Sequence, residues 1–162
     1  MPPVHNSIVD CLYTRHHDVR VRQRRLERIL GLAEPWVAPF VVQLIGEYVL
    51  EILLVIRRRL LPALTDPASA LAGVYGQFAA ENATFVARTS ARVVSYWDCN
   101  YRHRYPTFAD YPGHALAAAA GTCARHVSRP PARGYGRRPV IGQLVDSPCH
   151  EVKWSPLPSA VS

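Results

Sequence analysis

The chain has 162 residues, 49% of them hydrophobic and 19% charged, and a formal net charge of +7. This length supports one domain with a single modest core, and the apolar fraction is that of a globular protein, which excludes a fibrous or wholly disordered chain. The only lysine is Lys153, so the positive charge is carried by arginine, which favours anionic surfaces without naming one.

Residues 1–15 open with Pro2 and Pro3 and read as a flexible N-terminus. Asp18 is a suitable N-cap for a helix running to Gly31, whose type suits a stop. Within it Leu26, Ile29 and Leu30 form a narrow apolar stripe. Arg20, Arg22, Arg24, Arg25 and Arg28 cover the rest, a face suited either to solvent or to phosphate and anionic lipid.

The longest apolar run is Trp36 to Leu61, introduced by Pro35 at a first-turn position. Read as one continuous helix, it places Gln43, Glu47 and Glu51 at i, i+4, i+8 on one polar arc. The remaining arc is apolar and demands several neighbours. Its length also suits a membrane span of about 20 residues. The apolar residues gain about 4–8 kcal/mol on insertion, but two mid-helix glutamates cost about 2.5–3.5 kcal/mol each. The balance disfavours a span over 36–56.

Pro62 and Asp66-Pro67 read as a break, with Asp66 capping a third helix over 67–79. A fourth helix is expected over 83–101, with Arg88, Arg92, Ser95, Cys99 and Arg102 on its polar face. Tyr105-Pro106, Phe108 and Tyr111-Pro112-Gly113 then fold a loop back on the bundle. Four consecutive alanines in 114–127 suggest a weak helix. Residues 128–162 hold six prolines and little apolar periodicity, and read as a disordered Pro/Arg-rich tail. The expected fold is therefore all-α: a small bundle of about four helices over 16–113, around a central apolar helix, with a basic tail.

Chemistry is harder to find. Glu47 and Glu51 share a face and need cations nearby, which suggests an ion-pair or ligand cluster with Arg88, Arg92 and Arg102. Asp98 and Arg102 are spaced for a helix-surface pair. Cys99 and His103 stand one turn apart, but two residues do not make a metal site or a nucleophile with its oxyanion hole. The four cysteines, Cys11, Cys99, Cys123 and Cys149, contain no CxxC and read as free thiols. No phosphate-binding, dinucleotide, metalloprotease or nucleophile-elbow motif occurs. No metal, cofactor or catalytic residue is assigned.

The expected function is a non-enzymatic protein-interaction module in the cytoplasm, with a protein partner or a homodimer covering surplus apolar surface. The first alternative is a nucleic-acid binder using the basic helix 18–30 and the aromatic stretch 95–112, with contacts from Arg20, Arg24, Arg25, Arg28, Trp97, Tyr101 and Arg104. The second is membrane association through 36–56.

Overall fold

The computed structural model describes residues 4–128, and these form seven α-helices with no strand among them. They are α1 (Val4–Tyr13), α2 (Val19–Ile29), α3 (Ala38–Ile45), α4 (Leu50–Thr65), α5 (Ala70–Glu81), α6 (Ala83–Tyr96) and α7 (Pro112–Val127). Short 3₁₀ turns precede α3 (Pro35–Val37) and α7 (Phe108–Asp110), and a π-helical turn, Trp97–Tyr101, extends α6. The all-helical expectation holds at this level, but the count is seven rather than about four. The tail expected over 128–162 lies, from 129 on, outside the described residues.

The N-terminus is the first correction. Residues 4–13 are helical, and the helix is pinned by its polar side. Asp10 is buried and meets Arg25 of α2 at 2.8 Å and Arg28 at 3.6 Å. Cys11 enters the core, and the Thr14 hydroxyl donates to the Cys11 carbonyl at 2.6 Å. α2 then begins as its sequence implies: the Asp18 carboxylate accepts the Arg20 N–H at 2.8 Å, which holds its carboxyl below the usual range. It ends at Ile29, with Leu30 as cap and Gly31 beyond.

The central run is not one helix. α3 closes at Ile45, the backbone turns through Gly46, Glu47 and Tyr48, and Val49 is extended before α4 starts. Gly46 is buried, and a Cβ on it would lie 3.0 Å from Thr89 Cγ2 and 3.3 Å from the Thr89 carbonyl oxygen of α6. A side chain here would force Thr89 to give way by a few tenths of an ångström, so glycine suits the close approach of α3 to α6. The break also resolves the excess of apolar surface. The two short helices on either side of the break together bury Val41, Val42, Leu44, Ile45, Ile52, Leu53, Val55 and Ile56.

Pro62 does not end α4, which continues to Thr65. A proline there removes the N–H that would serve the Arg58 carbonyl, but both residues are exposed, so water can serve it. Asp66 does not cap the next helix. Its carboxylate accepts the Ala68 N–H at 3.0 Å in a local turn, and α5 starts at Ala70, three residues after the expected position.

The segment 114–127, expected as a weak helix outside the domain, is structural. α7 lies against both α4 and α5. Leu116, Ala119, Ala120 and Cys123 recur at i, i+3, i+4, i+7 and are buried. The Cys123 thiol donates to the Leu64 carbonyl at 3.2 Å. Small side chains bring the backbones close: a Cβ on Gly76 of α5 would stand 2.7 Å from the Cys123 carbonyl oxygen and 2.8 Å from Val127 Cγ2.

This contact yields a paired prediction within one helix. Gly76→Ala should destabilise the fold by about 1–2 kcal/mol net, since overpacking outweighs the gain in helix propensity. Gly73→Ala, where a Cβ meets nothing within 4 Å, should stabilise it by about 0.5–1 kcal/mol. Urea unfolding followed by circular dichroism distinguishes the two signs.

Candidate functional site

Two outer faces and one polar junction hold the residues singled out from the sequence. The junction forms where the α3–α4 turn meets α2. Glu47 forms an ion pair with Arg22, whose side chain is only 12% exposed. Arg22 Nε also donates to the Thr14 carbonyl at 3.2 Å. One guanidinium thus ties α2, the α1–α2 turn and the α3–α4 turn together. Burial draws the Arg22 guanidinium below its ordinary range, which is the cost of placing a charge here.

Glu47 and Glu51 do not share a face, because the helix that would have aligned them is broken. Neither meets Arg88 or Arg92, which are exposed on α6 and make no ion pair among the described residues. The α3–α4 turn points Glu47 at α2, not α6. Arg102 pairs with Asp98 at 2.9 Å, the surface pair that its spacing implies, and not with either glutamate. The sequence reading overlooked Arg22 as a partner because it placed the glutamates on a continuous helix facing α6.

Glu51 is exposed and has no carboxylate-to-cation pair among the described residues. It stands at one end of a groove of about 780 Å³ along the outer face of α4, lined by Leu54, Val55, Arg57, Arg58, Leu61 and Pro62, with Gln23 of α2 on the far wall. At Leu61 and Thr65 it adjoins a second groove of about 560 Å³, floored by Ala115, Ala118 and Ala119 of α7. Leu54 is 40% exposed there. Arg57 and Arg58 make no ion pair among the described residues, whereas Arg59 reaches Glu27 at 3.6 Å.

The aromatic stretch 95–112 is largely occupied with its own packing. Trp97 packs on Phe108 with centroids 5.0 Å apart, and its indole N–H donates to the Tyr105 carbonyl at 2.8 Å. The Tyr101 ring stacks on Tyr111, and its hydroxyl donates to the Tyr48 carbonyl beside the α3–α4 turn. Tyr111 is fully buried, and burial pushes its phenol up to about 12. Arg102 lies over the Trp97 ring and Arg104 over Tyr105. On α2, Arg25 and Arg28 are drawn to Asp10, while Arg20 and Arg24 are exposed one turn apart.

Cys99 and His103 are both exposed. Cys11 is buried, and burial with Asp10 beside it pushes its thiol up to about 11; Cys123 is also raised by burial. Among the described residues no three His, Cys, Asp or Glu side chains are grouped to hold a metal ion. No described helix is long and apolar enough to cross a membrane. No protein-family model, curated protein or solved structure matches the chain.

The junction makes a direct prediction. Glu47→Gln leaves the largely enclosed Arg22 guanidinium without its counter-charge, and should lower stability by about 2–4 kcal/mol. Arg88→Gln and Arg92→Gln on α6 should change it by less than about 0.5 kcal/mol. Thermal melts of the three variants test which arginine serves Glu47; an unchanged melting temperature in Glu47→Gln would sink the assignment.

Proposed function

We propose that the protein is a non-enzymatic interaction module that pairs with a second copy of itself through the outer face of α4. The observation that supports this is the charge pattern on that face. Glu51 and Arg58 are both exposed and unpaired among the described residues, and they lie two helical turns apart, about 10 Å along the axis. That distance is too great for them to satisfy each other within one chain. Across a two-fold axis between Leu54 and Val55, antiparallel α4 helices would set Glu51 of each copy against Arg58 of the other. Leu54 would sit at the centre, with Leu61 and Pro62 completing the apolar strip. A two-fold interface requires this kind of self-complementarity, and an apolar centre with a charged rim is the usual anatomy of a protein contact.

The prediction is a rescue. Sedimentation equilibrium should show a dimer that Arg58→Glu weakens about tenfold or more, through like-charge contact with Glu51 of the other copy. The double variant Glu51→Arg/Arg58→Glu should restore it. A wild-type monomer at all concentrations, or a double variant as weak as the single one, would count against this reading.

Nucleic-acid binding is the second reading, motivated by Arg20 and Arg24, which stand exposed one turn apart on α2. Such binding must fall steeply with salt. A single-stranded DNA shift that disappears between low and physiological salt, and that Arg20→Gln/Arg24→Gln weakens, would support it; a shift insensitive to these changes would not.

A further inference from the structure

α1 is mounted with its apolar side outward. Val4 is 67% exposed, Ile8 46% and Leu12 59%, and Val9 and Tyr13 widen the same face. These residues follow i, i+4, i+8 and i+5, i+9, so they fall on one half of the helix surface, a half that exposed His5 shares at the first turn. The side turned to the protein carries Ser7, Asp10 and Cys11. This is the reverse of a surface helix that exists only to close a core.

The flank of that face is cationic. Arg25 lies over the Tyr13 ring at 5.0 Å, and Arg25 and Arg28 line a cleft with Val9. Arg24 extends the same strip through a second small cleft with Arg25 and Arg28. The only carboxylate on α1 is Asp10, which is buried beneath Arg25 and Arg28. The face therefore presents an apolar ridge beside a row of guanidinium groups, with no exposed acid on the ridge helix.

We infer that this α1–α2 face docks on an anionic lipid surface, with the ridge in the acyl–headgroup boundary and the arginines on lipid phosphates. An interfacial amphipathic helix needs this division, apolar on one side and basic beside it, and needs no span across the bilayer. Here the charged part is supplied by a neighbouring helix. Arginine stems can lie along apolar surface while their heads reach phosphate oxygens. Charge argues against a second copy on this face, since a two-fold pairing would bring two arginine rows together with no free carboxylate between them. The clefts beside the ridge are lined by Arg25 and Arg28, so their chemistry suits a phosphate group better than the apolar face of a partner helix. The face is separate from α4, and failure here leaves the α4 pairing untouched.

Vesicle co-sedimentation of the full chain tests the inference. Vesicles of equimolar phosphatidylcholine and phosphatidylglycerol should retain the protein, and phosphatidylcholine alone should not. Leu12→Asp should weaken binding by about tenfold or more, and Arg24→Glu by at least about fivefold. Val4→Asp, at the exposed first turn where an acid suits the helix dipole, gives an independent variant with the fold intact. The inference is overturned if Leu12→Asp and Val4→Asp bind as well as the wild type, because attachment would then come from basic charge elsewhere in the chain. It is equally overturned if no vesicle retains the protein, or if Leu12→Asp instead abolishes a concentration-dependent dimer.

Discussion

The architecture depends on the break at Gly46. The run from Trp36 to Leu61 is nearly all apolar, and the chain turns within it where a side chain is missing, so that two helices share its burial. Gly46 packs tightly on Thr89, where a Cβ would sit 3.0 Å from Thr89 Cγ2, so α3 and α6 approach closely at that point. The turn then directs Glu47 at Arg22, and Arg22 holds the start of α2 against Thr14. A substitution that straightened the turn would separate three elements at once, because the polar junction and the close backbone contact are consequences of the same bend.

How much of this was legible in the sequence follows from how local each signal is. Asp18 capping α2 is a short-range hydrogen bond, and the sequence shows it directly. The aromatic return at Tyr105, Phe108 and Tyr111 was also visible, since large rings after a helix have few places to go except the core. The Asp98–Arg102 pair needed only helical spacing. The Gly46 break was not legible, because one glycine in a strongly apolar run is tolerated by a helix and becomes a break only when a neighbour presses on it. Pro62 misled in the opposite sense: its cost depends on whether the freed carbonyl is exposed, which spacing does not reveal. α7 was undervalued because alanine carries little hydrophobic signal, although Ala119 and Ala120 contribute through close approach to α4 and α5.

The candidate site shows the same division. The sequence singled out Glu47 and Glu51 together and assigned both to arginines of the segment holding α6. Once the bend separates them, they take different surroundings. Glu47 becomes part of a half-buried tie whose removal leaves a stranded charge. Glu51 stays in solvent at the end of an apolar groove, where it contributes little to the fold of a single copy. The first is accounted for by structure alone; the second is not.

α1 sharpens that distinction between groups that serve the fold and groups that do not. If only stability shaped this helix, its valine, isoleucine and leucine side chains would turn inward, each worth about 1.5–3 kcal/mol on full burial. Instead a carboxylate is buried against two arginines, an arrangement that is at best weakly stabilising compared with apolar packing. What the Asp10 contacts do supply is orientation. With Asp10 held by Arg25 and Arg28 of α2, the helix cannot roll to hide its ridge without stranding a charge. The ion pair therefore acts as a lock on which side faces out. The same two arginines that hold Asp10 border the exposed ridge, so the lock and the cationic flank of the surface are built from the same side chains.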